Sequence, residues 1–101
     1  MADWKRPHAD LSNADLTGAI MIAARLNGTT LINAHLAGAI LDTANLFAAD
    51  LSGADLRGAS FVGANLAHAN LTGATLTGAF IHDAYFCDSQ LTETLGKQHR
   101  C

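Results

Sequence analysis

The sequence predicts an all-β fold, a parallel β-helix whose coils have four sides. Three observations carry this prediction. From residue 9 to residue 93, the chain divides into seventeen pentads without an insertion. The third residue of every pentad is apolar, and the first residue is Ala in fifteen of them. Eight of the nine glycines occupy the fifth position.

The period of five residues matches neither an α-helix nor an ordinary β-strand, whose side chains repeat every 3.6 and 2.0 residues. The chain must therefore turn a corner once in each pentad. Four corners close a coil of about twenty residues, and stacked coils lie about 4.8 Å apart, so that each coil hydrogen-bonds to the next. The sequence thus predicts about four coils in a rod about 20 Å long.

Each position of the pentad has its own predicted environment. The third side chain fills the axis, and the first lies inward near a corner, where space limits it to Ala, Ser or Thr. Gly or Asn at the fifth position predicts a type II turn, which requires a positive φ there. We expect a different turn geometry where the fifth residue is Ala23, Thr43, Ala48, His68, Asp83, Asp88 or Glu93.

The pentads ADLSG, ADLRG, ANLTG and ADLTG resemble the A(D/N)LXX motif of the pentapeptide-repeat family. The resemblance covers residues 9–93. It implies a right-handed quadrilateral β-helix, which agrees with the geometry deduced from the period. The chain then divides into an N-terminal cap or tail (1–8), the repeat domain (9–93) and a short C-terminal tail (94–101). Functions in this family are diverse, so the resemblance by itself assigns no role.

Every fourth pentad lies on the same face of the predicted rod, and we number the faces from the pentads that begin at residues 9, 14, 19 and 24. Faces one and two are polar, with the acidic residues Asp10, Asp15, Asp50 and Asp55. Face three and its edge with face four are apolar where the repeat requires no apolar residue. A contiguous exposed apolar surface usually marks an interface, although Ile and Val also suit exposed β-structure. The predicted interface residues are Ile20, Ile22, Ile40, Val62, Phe80, Phe47 and Tyr85.

The two ends of a stacked rod expose apolar side chains and strand edges, and they therefore need end caps. Trp4 and Pro7 are predicted to cover one end, and Leu95 the other. Because the second end cap is small, we expect a homodimer, formed either end to end or through face three. The resemblance points the same way, since dimerisation is common in the family and often involves the C-terminal end.

Charge and composition argue against several functions. Residues 9–93 carry eight acidic and two basic residues, a net charge of −6, so that no direct nucleic-acid binding is expected. No apolar stretch approaches the roughly 20 residues that span a bilayer, and no secretory signal is visible. Two cysteines are too few for a disulfide framework. We therefore expect a cytoplasmic protein without membrane contact.

No catalytic, cofactor or metal site is predicted. The five histidines lie in the tails or on different faces, without the close spacing of a zinc site. No nucleophile has a base beside it, the glycines are turn residues, and a filled axis leaves no pocket for a small-molecule substrate. His35 is expected to lie between Asp15 and Asp55 in one column, and His68 beside Asp88, as ordinary surface pairs.

These expectations favour a non-catalytic β-helical scaffold or interaction module that binds itself or another protein. The alternative is a DNA mimic that interacts with DNA gyrase or another type II topoisomerase, as some members of the family do. B-DNA carries a charge about every 1.7 Å, or about 12 over 20 Å, which exceeds the charge of the repeat region. A third hypothesis is a fragment or an engineered minimal solenoid without a partner.

Overall fold

The computed structural model describes residues 8–91. Within that range the β-structure consists of parallel contacts between residues twenty positions apart. Two short strands form there, β1 at Asn70–Leu71 and β2 at Gln90–Leu91, and they pair in parallel with Asn70 opposite Gln90. The other pairings are isolated bridges between single residues. No helix in this range is long and apolar enough to cross a membrane.

Four columns of bridges run along the molecule, one on each face. From face one to face four they are Asp10–Thr30–Asp50–Asn70–Gln90, Asp15–His35–Asp55–Thr75, Ile20–Ile40–Ser60–Phe80 and Arg25–Asn45–Asn65–Tyr85. A coil therefore contains four pentads, as the period predicts. Because the register runs without a slip, the predicted assignment of residues to faces is confirmed.

Main-chain hydrogen bonds join each coil to the next at three points of a pentad. The third-residue N–H donates to the following coil, as from Leu31 N to Asp50 O at 2.7 Å. The fifth-residue N–H does the same, as from Asn33 N to Ser52 O at 2.9 Å. The second-residue N–H donates to the preceding coil, as from Asp50 N to Thr29 O at 2.9 Å. The N–H of the fourth residue does not take part in these hydrogen bonds between coils.

The core is a stack of layers, each with four third-position side chains on the axis and small residues at the corners. The layer of Leu31, Leu36, Leu41 and Leu46 is 0% exposed. Each buried leucine stabilises the fold by about 1.5–3 kcal/mol. At one corner Thr29 replaces Ala, and its hydroxyl is the one buried side-chain polar atom without a partner in residues 8–91.

Each pentad in the described range turns with its fifth residue at a positive φ. The glycines have φ of 67–74° and the other residues 57–63°. The next residue closes the turn, as Ala44 N donates to Leu41 O at 3.0 Å. The different turn geometry expected for Ala23, Thr43, Ala48, His68, Asp83 and Asp88 is therefore wrong, and Glu93 lies outside the described residues. The packed core outweighs the roughly 1–2 kcal/mol that an L-residue loses in this conformation.

Candidate interaction surface

The second residue of the pentad has a structural task that explains its preference for Asp or Asn. Its side-chain oxygen accepts the N–H of the fourth residue, as Asp50 Oδ1 does from Ser52 N at 3.0 Å. This local bond is an Asx turn. All Asp and Asn side chains at this position in residues 8–91 form it, namely Asp10, Asp15, Asn45, Asp50, Asp55, Asn65 and Asn70.

The predicted acidic residues of faces one and two therefore serve the main chain. The N–H and the hydroxyl of Ser12 hold the pKa of Asp10 below its usual value. The hydroxyl and the N–H of Thr17 lower the pKa of Asp15 in the same way. Because both carboxylates are already hydrogen-bonded in their charged form, their negative charge is part of the turn structure.

Asp55 has the most strongly lowered pKa on face two. Arg57 donates from Nε to Oδ1 at 2.8 Å and from a terminal guanidinium nitrogen to Oδ2 at 2.7 Å, which makes a two-bond pair. These bonds, together with the Arg57 N–H, lower the pKa of Asp55 to about 2. His35 lies between Asp15 and Asp55, as predicted, and its charge contributes to the lowered pKa of both.

Face three is the one face without an Asx turn in the described range. Its second residues are Ile20, Ile40, Ser60 and Phe80. A single carboxylate, Asp42, lies in its second and fourth columns. The Asp42 side chain accepts the Ser60 hydroxyl and, at 3.3 Å, the Val62 N–H of the following coil. Asp42 thus joins two coils and replaces the missing Asx turn of the third coil.

Five of the eight outward positions of face three hold apolar side chains, and three of these protrude into solvent. Ile20, Ile22 and Phe80 are 66%, 58% and 61% exposed, more than any other large apolar residue in the described range. Ile40 and Val62 are half-buried between them. Fully burying a side chain of this size is worth about 1.5–3 kcal/mol. This surface therefore offers a partner a substantial favourable contact.

Tyr85 extends this surface, whereas Phe47 lies elsewhere. Tyr85 ends the column that begins at Arg25, directly beside the fourth-residue column of face three. Phe47 lies at the fourth position of face four, on the side toward face one. There its ring meets the His68 ring edge-on, with 5.2 Å between ring centroids. We therefore define the apolar surface as Ile20, Ile22, Ile40, Val62, Phe80 and Tyr85, and we treat Phe47 as a separate contact.

Two further histidines of the described range, His68 and His82, form local pairs. His68 Nε2 lies 3.7 Å from Asp88 Oδ2, the neighbour predicted for it, and His82 Nε2 lies 3.2 Å from Asp83 Oδ2. Residues 8–91 bring together no three His, Cys, Asp or Glu side chains that could hold a metal ion. These pairs are exposed and therefore contribute little to stability.

Cys87 lies in the fourth-residue column of face four and is disulfide-bonded. Disulfides are typical of oxidising compartments, so the expected cytoplasmic localisation, which was based on the small number of cysteines, stays a prediction. The other cysteine of the sequence, Cys101, lies outside the described residues. The predicted end caps Trp4, Pro7 and Leu95 also lie outside them.

Comparison with known proteins decides the family. A family model described as pentapeptide repeats (8 copies) matches residues 9–46 and 49–92. The chain belongs to the pentapeptide-repeat family. Its structural relatives imply a right-handed β-helix, which supplies the hand of the coil described above.

Several solved pentapeptide-repeat structures are similar to this chain. Rfr23 from the cyanobacterium Cyanothece 51142 is 34% identical, with a TM-score of 0.84 over 86% of this chain and 59% of that one. The protein alr5209 from Nostoc Pcc 7120 is also 34% identical, with a TM-score of 0.74 over 87% of this chain and 86% of that one. HetL from Nostoc sp. strain PCC 7120, involved in heterocyst differentiation regulation, is 42% identical, with a TM-score of 0.51 over 77% of this chain and 43% of that one. No curated protein matches the sequence.

Proposed function

We propose that this pentapeptide-repeat chain is a non-catalytic β-helical scaffold that binds a protein through its apolar surface. The family supports this proposal, because pentapeptide-repeat proteins are generally structural or interaction modules. Within residues 8–91, the observation that carries the proposal is that the face without Asx turns also holds the three most exposed large apolar side chains. The apolar surface is the site of binding, and the scaffold holds it rigid.

The exchange of Asx turns for apolar side chains has a cost that a binding role explains. An Asx turn satisfies a main-chain N–H, and a hydrogen bond of this kind is worth about 1 kcal/mol. At the second position Ile20, Ile40 and Phe80 provide no such bond, and they add apolar area in contact with water. In the isolated chain both effects are unfavourable, whereas a partner that covers the surface recovers the apolar term.

A general preference of β-structure for Ile and Val explains the pattern less well. The same preference would act on each face of the rod. Along residues 8–91, however, the second and fourth columns of faces one and two contain a single large apolar residue, Ile32. The concentration of such residues on face three therefore indicates a requirement of that face.

A DNA mimic that interacts with gyrase is the alternative, and the Asp residues of faces one and two are the observation behind it. In the column of face one, Asp10 and Asp50 alternate with neutral residues. They are two coils apart, or about 9.6 Å, whereas DNA carries a charge about every 1.7 Å. On face two Asp55 is paired with Arg57. The Asx turns also account for these acids without a mimic, so we favour the interaction module.

A photo-crosslinking experiment tests the proposed function. A photoreactive amino acid replaces Ile40 on face three or, as the matched control, His35 at the same position of the same coil on face two. Irradiation in an extract of the source cells is expected to give protein adducts, with this chain or with another, from position 40 and not from position 35. Equal labelling of the two positions, or no adduct at either, would contradict the proposal.

A supercoiling assay tests the alternative. We expect DNA gyrase to keep its activity at micromolar concentrations of this protein. Inhibition that is relieved by neutralising Asp10 and Asp50, and not by changing Ile40, would establish the DNA mimic in place of the interaction module.

A further inference from the structure

We propose that the apolar surface binds the apolar surface of a second copy of this chain, with the two rods antiparallel, in a weak and reversible dimer. The proposal rests on the proposed function, because it names the partner of the same surface. It follows from the register of the coils, which fixes the order of side chains along face three. Coils one to four are residues 9–28, 29–48, 49–68 and 69–88.

An antiparallel two-fold arrangement places each column of face three against itself in reverse order, because a two-fold interface uses the same patch on both subunits. Coil one then meets coil four, and coil two meets coil three. Ile20 lies opposite Phe80 of the partner subunit, so the two most exposed large apolar residues at the second position, within residues 8–91, cover each other twice in one dimer. Ile40 lies opposite Ser60 of the partner subunit.

The distribution of side-chain volume favours this orientation over the parallel one. The third coil is the narrow part of the face, with Ser60 and Val62, whereas the fourth coil is broad, with Phe80 and His82. In a parallel dimer each coil would meet its own copy, so that the two narrow coils would leave a gap between the two broad ones. The antiparallel dimer places Ile40 over the narrow coil and makes the separation more even along the rod, as close packing requires.

The edge of the surface is complementary in the same orientation. Arg25 and Tyr85 end the same column, so Arg25 lies opposite Tyr85 of the partner subunit. A guanidinium over a tyrosine ring gives a favourable cation–π contact. Between these ends, Asn45 lies opposite Asn65 of the partner subunit, and no two like charges are brought opposite each other in this column. In the fourth-residue column of face three, by contrast, Asp42 lies opposite Val62 of the partner subunit, and this contact of a carboxylate with an apolar side chain weakens the dimer.

The size of the face sets the strength of the dimer. Five residues at about 3.3 Å make a face at most about 16 Å wide, and four coils make it about 20 Å tall, so a flat contact covers about 320 Å² of each copy. Stable interfaces bury about 800 Å² on each partner. A dimer through face three alone is therefore weak, and it forms at high protein concentration.

Sedimentation equilibrium, from about 10 μM to about 1 mM, tests the dimer with and without reductant. The wild-type chain is expected to dimerise reversibly under both conditions. Ile20→Asp and Phe80→Lys should each weaken association at least about tenfold, because each places an unpaired charge against an apolar side chain. The matched controls His35→Asp and Thr75→Lys, at the second position of face two, should leave it unchanged. Thermal unfolding at low concentration shows whether each variant is folded.

A mixture of variants tests the orientation. In the antiparallel dimer position 20 meets position 80, so equimolar Ile20→Asp and Phe80→Lys should associate at least about tenfold more tightly together than either alone. A mixture that does not recover association would refute this orientation. A wild-type chain that stays monomeric at each concentration would refute the dimer. Adducts with a different protein from position 40 would then still support the proposed function, so the two proposals fail separately.

Discussion

Faces two and three are built on the same coils and differ in what the second residue of the pentad does. On face two, Asp15 and Asp55 each accept the N–H of the fourth residue, and Asp55 also pairs with Arg57. On face three, Ile20 and Ile40 stand at the same position of the pentad without such a bond, and they point outward from the rod. In the second coil, the third residue beneath each of these faces is a fully buried leucine, Leu36 under face two and Leu41 under face three.

This difference separates the part of the repeat that makes the fold from the part that is free to make an interface. The first and third residues build the core, and the fifth residue makes the corner. The second residue contributes an Asx turn, which is worth about 1 kcal/mol, so the coil tolerates its loss on one face. Function can therefore change one face of the rod without changing the register of the other three.

The largest expected effect is one that the two faces share. Leu36→Ala, beneath face two, and Leu41→Ala, beneath face three, should each lower the free energy of unfolding by about 2–5 kcal/mol, because each removes a fully buried side chain from one layer. Urea unfolding of the two variants measures this loss. A much smaller loss for Leu41→Ala would mean that the faces differ in their interior as well, and the comparison would fail.

A smaller effect is expected when an Asx turn is removed from one of the faces that have them. Asn65 Oδ1 accepts the Ala67 N–H at 3.0 Å, and Asn65 carries no charge. Asn65→Ala should lower the free energy of unfolding by about 1 kcal/mol, since it leaves that N–H without its acceptor. Ser60→Ala is the equivalent change in the third coil of face three. It removes the hydrogen bond from the Ser60 hydroxyl to Asp42, and the same assay measures the effect of that loss on stability. An unchanged urea midpoint for Asn65→Ala would show that the Asx turns do not stabilise the coil.

The sequence predicts the architecture of this molecule well because each pentad imposes the same physical requirements on its residues. An apolar third residue and a small first residue have a single low-energy placement once the chain turns every five residues. The period of five therefore predicts the coil, the core layers and the columns of faces, including His35 between Asp15 and Asp55.

The errors lie where a residue's own preference differs from what the coil imposes. Thr43 disfavours a positive φ as a β-branched residue, yet it has a φ of 57° because its corner is fixed by the layers on both sides. The pentad pattern does not by itself reveal the Asx turns, although the frequent Asp and Asn at the second position are the signal for them. The sequence predicts Phe47 at the edge of face three, whereas its fourth position places it on the side toward face one.

Restoring an Asx turn to face three should separate stability from association. Ile20→Asn supplies an acceptor for the Ile22 N–H, which has no hydrogen-bond partner among residues 8–91. The free energy of unfolding of this variant should rise by up to about 1 kcal/mol, which is seen as a slightly higher urea midpoint. At the same time its dimerisation should weaken. This combination would show that the apolar residue is retained for binding at a cost in stability. Lower stability together with unchanged association would contradict the assignment of face three as the interface.

The smallest expected effect is the acid sensitivity of the faces that have Asx turns. In the folded chain the pKa of Asp55 is about 2, below the value of about 3.9 in an unfolded chain. The folded state therefore binds a proton less readily, so this contribution to stability is present above about pH 4 and is lost as the pH falls toward about 2. Asp55→Asn keeps an acceptor for the Arg57 N–H and does not titrate. Its urea midpoint should therefore fall less steeply than that of the wild type in this pH range.

Asn65→Asp is the converse variant, because it adds a titrating side chain to an existing Asx turn on face four. Its urea midpoint should fall more steeply with acid than that of the wild type, whereas Ile40→Ser on face three, which adds no carboxyl, should follow the wild type. If the three variants and the wild type give parallel pH profiles, the carboxylates in the Asx turns do not stabilise the coil through their charge. The acidic character of these faces would then need another explanation, and the DNA mimic would become the stronger hypothesis.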